Sequence, residues 1–279
     1  MTYKKYEMES AMIKMIRRCD DDALYWAYRL SQAKGGNQRI WERLEIMSAE
    51  DIGMAYPWLR TYLYQQQENF WALSDENAKQ ELILMTVCFF TRQYKSRLCD
   101  NIAHAYFKDS IPEVGQNNIH QLLTLFEKSI QKKASDAALK YAANLYQQEQ
   151  EEAMIALLKQ PEDPESRTLI YFFQKHNRVQ RDYHDLLFLI NLILYRTMDA
   201  TTIPIRFDVP KLDLETIYND KRHLAVPDCA YDYHCTIGRN LGRGYQHYYE
   251  EGAKLNQCFI TDPYEALAQA INILKDDLN

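Results

Sequence analysis

Glycine and proline are scarce in this chain, eight of each among 279 residues. With so few turn formers, and with Ala, Leu, Gln, Glu, Lys and Tyr plentiful, little room is left for sheet. A surplus of positive charge is also missing: 33 Lys and Arg against 39 Asp and Glu leave a net charge of −6. That excludes a protein that coats nucleic acid through bulk basicity, though not a local basic patch. No long apolar run occurs. The longest, 186–194, is interrupted by Asn191 and is too short for a hydrocarbon layer of ~30 Å, so it is expected to be a buried helix of a soluble protein without membrane contact. The N-terminus shows neither an apolar signal core nor a small-residue cleavage site. Cys19, Cys88, Cys99, Cys229, Cys235 and Cys258 form no CxxC pair and read as reduced thiols, which points to a cytoplasmic location. GxSxG, HExxH and a nucleophilic Cys/His context are absent as well, so no catalytic residue, metal or cofactor is expected.

What the chain does have is helical periodicity along most of its length. Over 6–18 the residues Met8, Ala11, Met12, Met15 and Ile16 share one helical face. Asp20, Asp21 and Asp22 then offer a cap and first-turn acids to a second helix through Leu30, which Gly35 and Gly36 end. Further helices are expected over 38–48, from Pro57 through Trp58, Leu59, Tyr62 and Leu63, from a cap at Ser74 and Asp75 to Phe90, and over 95–107. Residues 112–118, polar and containing Gly115, mark the expected boundary between regions 1–111 and 119–279, which can pack as one unit. Beyond it helical patterns cover 119–130, 134–158, 166–175, 183–198 and 262–274, while Pro204 and Pro210 keep 201–209 irregular. The expected fold class is all-α, a multi-helix bundle of short-looped hairpins with little or no sheet. No repeat of fixed period suggests a solenoid.

Half of the glycines fall in one segment, YDYHCTIGRNLGRGYQHYYEEGAKL over 231–255. Here Gly238, Gly242 and Gly244 interleave with Arg239 and Arg243, whose planar forks suit phosphate, and His234, His247 and Lys254 stand nearby. The segment is therefore the candidate phosphate or nucleic-acid contact; the plainer alternative is a tight connection whose arginines pair with Asp232, Glu250 or Glu251. His234, His247, Glu250 and Glu251 could also supply metal or acid/base chemistry, against the commoner case of surface histidines beside acids. At the other end, Lys4, Lys5, Lys14, Arg17 and Arg18 read as a solvated helix face balanced by Asp20–22, with DNA contact as the alternative. Trp26, Trp41, Trp58 and Trp71 sit at helical spacing and read as core or interface before base-stacking platforms.

The block over 6–57 resembles the segment that follows the ATPase core in the RarA/MgsA family of AAA+ proteins, replication-associated relatives of the clamp loaders. The correspondence lies in Lys14 with Ile16 and Arg17, in the acidic cap before Ala23-Leu24-Tyr25-Trp26, and in the turn Ser48-Ala49-Glu50-Asp51-Ile52-Gly53. It is weaker over 80–109 and fades after Gln116. A GxxxxGK loop followed by Ser or Thr is absent, and the glycine segment has neither its lysine nor its hydroxyl, so ATP hydrolysis is not implied. The resemblance implies an oligomerising, non-catalytic module of DNA replication, recombination or repair. Its expected partners are further copies of itself, DNA, and a replication ATPase encoded elsewhere. The alternatives are an enzyme of a phosphate-containing substrate, working through 231–255, and a protein-binding scaffold.

Overall fold

Helices form where the apolar spacing is helical. The computed structural model describes residues 3–108, 118–159, 183–198, 212–256, 258 and 261–278. The expected boundary over 112–117, the helix over 166–175 and the irregular 201–209 lie outside the described residues.

Helices α1 (Lys5–Arg17) and α2 (Asp22–Ser31) form a hairpin. The turn between them uses a left-handed Cys19 at φ 56° and an Asp20 carboxylate that accepts the Asp22 N–H at 2.9 Å. Helix α3 (Gly36–Met47) ends in a widened π turn, Ser48–Ile52, followed by a tight 3-10 turn, Gly53–Ala55. Helix α4 (Leu59–Ala72) leads to α5 (Glu76–Arg92), capped as its sequence suggests by Asp75, which accepts the Asn77 N–H at 2.9 Å.

The next helix starts later than its pattern predicts, at α6 (Leu98–Ile102), and widens into a π turn over Ala103–Lys108. Lys95 stays outside it for a reason. Its fully buried ammonium donates to the carbonyls of Phe90 at 2.9 Å, Thr91 at 3.3 Å and Gln93 at 2.5 Å, stabilising the electronegative end of α5.

Helix α7 (Ile119–Gln131) packs on α8 (Ser135–Gln147), and α9 (Glu151–Leu158) follows. The single helix expected over 134–158 is thus two. Glu149 adopts φ 61° and the Gln150 N–H returns to the Leu145 carbonyl at 3.0 Å, closing α8 without glycine. Among the described residues the remaining α-helices are α10 (Tyr183–Thr197), α11 (Leu214–Tyr218), α12 (Thr236–Asn240), α13 (Tyr245–His247), which continues as a π turn over Tyr248–Gly252, and α14 (Glu265–Leu278). Among the described residues no strand forms, only an isolated bridge between Lys95 and Cys258, and the fold is all-α.

Two apolar clusters hold the helices. The first joins α1 to α5 around Trp26, Trp41, Phe70 and Phe90, and takes in Cys229 and Ala230 from far along the chain. Truncating one of these buried rings removes ~3–5 kcal/mol. The second runs from α6 to α10, borrows Ala49 and Met54 from the turns after α3, and is centred on the apolar run of α10. Trp58 packs against both clusters, while Trp71 is exposed. Among the described residues no helix is long and apolar enough to cross a membrane.

Candidate functional site

With Met8, Met12, Met15 and Ile16 of α1 in the first core, Ser10, Lys14 and Arg17 share the adjoining face at spacings of four and three. The segment over 228–252 covers that face. Ser10 Oγ donates to the Ala230 carbonyl at 2.7 Å, Lys14 Nζ to Asp232 Oδ2 at 2.5 Å, and Arg17 Nη1 to the Gly252 carbonyl at 3.0 Å. Lys14 and Arg17 are each 5% exposed. Of the expected solvated face, Lys14 and Arg17 are therefore buried, because partners for them arrive some 200 residues later. Arg18, reaching Glu251 at 2.8 Å, stays near the surface, and Lys4 and Lys5 are exposed.

Behind this contact lies a ladder of charges. Asp51, within the π turn Ser48–Ile52 and fully buried, accepts Arg17 Nε at 2.8 Å on one oxygen and Arg97 Nη1 at 2.9 Å on the other. Arg97 also bonds Asp100, whose other oxygen accepts the Tyr183 hydroxyl at 2.5 Å. Burial of charge on this scale is tolerated only when each group is paired.

Glycine enables the closure on Asp232. A Cβ on Gly238 would lie 1.8 Å from the Asp232 carbonyl oxygen, and one on Gly252 would lie 2.8 Å from the Tyr248 ring and 2.9 Å from the Asp232 carboxylate. Two of the glycines flagged by the sequence thus admit the backbone to an aspartate, not to a phosphate.

Between α1, the π turn, α6, α10 and the 232–249 stretch lies a cavity of about 550 Å³. Lys14, Glu50, Arg97, Asp232, Tyr233 and Tyr248 line its depth. Burial, reinforced by Arg17, lowers the Lys14 ammonium to about 8 against the pull of Asp232. Burial, with Asp100 and Asp51, lifts the Glu50 carboxyl to about 7 against Arg97 and Arg17. Burial also works to raise Asp232, but the His234 and Lys14 interactions outweigh it and hold that carboxyl below the usual range. An ammonium moved down and a carboxyl moved up, facing one cavity, is an arrangement able to exchange protons near neutrality.

The residues singled out from sequence divide around this cavity. His234 lines it, its Nδ1 3.0 Å from Asp232 Oδ1. Arg239 is exposed and donates to the carbonyls of Tyr233 at 3.0 Å and His234 at 3.3 Å. Arg243 donates to the carbonyls of Asp228 at 2.8 Å and Tyr231 at 2.7 Å and to the Asp228 carboxylate at 2.6 Å. Gly242 takes φ 70° in the turn after α12, and Gly244 precedes α13. His247 is half-buried outside the lining, Glu250 bonds Gln246 at 2.8 Å, and Lys254 borders a separate cleft of about 250 Å³ with Asp262 and Glu265. Arg239, Arg243, His234, His247 and Glu250 do not converge, and among the described residues no cluster of three or more His, Cys, Asp or Glu is placed to hold a metal.

The sequence singled out neither Arg97, Asp100, Tyr183 nor Tyr248, and it offered Asp232 only as a partner for Arg239 and Arg243 and Glu50 and Asp51 only as part of a turn. One signal was present: Arg97, Asp100 and His104 recur at spacings of three and four within a run that is otherwise apolar apart from Asn101. Comparison of the chain with protein-family models, with curated proteins and with solved structures finds no match.

Proposed function

We propose that this protein is a non-catalytic, self-associating module of DNA replication, recombination or repair, akin to the post-ATPase region of RarA/MgsA-type proteins and working without a motor of its own. One observation carries the reading: Lys14, Arg17 and Asp51, which carry the resemblance, are the residues that lock the π turn and the 228–252 segment onto α1. They define an internal scaffold and not a nucleotide loop, so what they have in common with that family is an architecture for assembly. Within the segment, exposed Arg239 and Lys254 are the cations that backbone phosphates would meet. Light scattering after size exclusion is expected to give more than one chain per particle, and binding to forked over duplex DNA is expected to weaken steeply with salt. A strict monomer at high concentration removes the self-association, and a flat DNA titration turns the reading toward protein partners.

A second reading, an enzyme of a phosphate-bearing substrate, is favoured by the cavity, where Lys14 and Glu50 sit with proton affinities near neutrality. It places the chemistry beside His234 and away from Arg239 and Arg243.

A further inference from the structure

Several hydrogen-bond donors at the floor of the cavity have unused capacity. Lys14 uses one of its three N–H groups, on Asp232. Arg97 is 8% exposed and its Nε is buried without a partner, although both of its terminal nitrogens are engaged. The Tyr248 hydroxyl makes no hydrogen bond within the protein, and three cations surround that ring: Lys14 at 5.4 Å, Arg97 at 5.6 Å and Arg17 at 5.9 Å from its centre. Unengaged buried donors beside fixed cations call for an oxyanion.

The carboxylates of the site do not oppose one. Asp232 is held by Lys14 and His234, Asp51 by Arg17 and Arg97, Asp100 by Arg97 and Tyr183, and Glu9 by Arg43. Glu50 approaches Arg17 only at 3.6 Å and carries part of its proton at neutral pH. Away from the cationic floor the wall is aromatic: Tyr233 and Tyr245 pack with ring centres 4.3 Å apart, and Tyr249 lies 6.3 Å from Tyr245 in a near-parallel plane. Such faces accept a flat heterocycle. A volume of about 550 Å³ suits a ligand of mononucleotide size.

We infer that the cavity binds a phosphorylated nucleotide, its phosphate on Lys14 and the Tyr248 hydroxyl and its base against the Tyr233–Tyr245 wall. The nucleotide is either free or the phosphorylated end of a DNA strand. The inference rests on the cavity alone, and neither self-association nor salt-dependent fork binding is needed for it.

Titration calorimetry of the full chain decides it, with adenosine monophosphate, adenosine, inorganic phosphate, and one oligodeoxynucleotide bearing either a 5′-phosphate or a 5′-hydroxyl. Adenosine monophosphate is expected to bind once per chain and at least about ten-fold more tightly than adenosine or phosphate. Tyr248→Phe, which keeps the ring, is expected to weaken it about ten-fold, the loss of one hydrogen bond to a charged group. Binding of the phosphorylated oligonucleotide alone identifies a strand end, and binding of the mononucleotide alone a free ligand; either supports the site. Photolabelling of the wild-type chain by 8-azidoadenosine monophosphate is expected on 231–249, independently of any variant. Failure of both phosphorylated probes to bind, undiminished affinity in Tyr248→Phe, or labelling elsewhere overturns the inference.

Discussion

The helices α1 to α5 and the 228–252 segment are held by different forces. The first region closes around buried rings and methionines. The second has helices of five and three residues, too short to stand alone. It is fastened instead by Lys14 to Asp232, Arg17 to the Gly252 carbonyl and Arg243 to the Asp228 and Tyr231 carbonyls. An apolar core tolerates substitution in proportion to lost volume. A docked polar segment depends on a few pairings whose loss leaves charge stranded, and it is the region through which the cavity is built.

The contrast is broken most severely at Asp232. Asp232→Ala leaves the Lys14 ammonium buried without its partner and is expected to cost ~3–5 kcal/mol in urea denaturation. Replacing both, as Lys14→Met with Asp232→Leu, is expected to recover most of that loss, because an apolar pair no longer carries uncompensated charge. Limited proteolysis of the single variant should cut within 231–255 before the helices α1 to α5 yield. If Asp232→Ala costs less than about 1 kcal/mol, the segment is held by something other than this pairing.

A smaller effect tests the same ladder through pH. Glu50 has its folded value lifted to about 7, so the folded chain holds this proton more tightly than the unfolded chain. Its contribution is complete below the unfolded value near 4.3 and is lost as pH rises through about 7. Wild type is therefore expected to lose ~2–3 kcal/mol relative to Glu50→Gln between pH 4.5 and 7.5, measured as the difference between their denaturation free energies. Parallel stability curves for the two proteins would place Glu50 outside the ladder's field.

Much of the first region was legible in its sequence because its signals are local. The stripe of Met8, Met12, Met15 and Ile16 and the Asp75 cap act within a few residues. The break after α8 was not legible, since a left-handed Glu149 replaces the glycine that usually marks such an end. In the site the locality fails altogether. Lys14 meets Asp232 across 218 positions, and helical periodicity cannot distinguish a polar face awaiting a distant partner from one facing water. The glycines did point to a close approach of backbone. The arginines between them drew attention outward, whereas Asp232, Tyr233 and Tyr248 turn inward.

The smallest expected effects separate those two arginines. Arg239 is exposed and adds its bonds to carbonyls that water also reaches, so Arg239→Ala should change stability by no more than ~0.5 kcal/mol. Arg243 is more enclosed and satisfies the Tyr231 carbonyl just before Asp232, so Arg243→Ala should cost ~1–2 kcal/mol and loosen the segment where the cavity begins. Thermal denaturation of the two variants ranks them. If Arg239 proves the costlier, its guanidinium is fixing the turn and is not free for a ligand. If instead Arg239→Ala is neutral to stability but lowers the salt slope of DNA binding by about one unit, its role is a phosphate contact on the outer surface of a segment whose inner surface is structural.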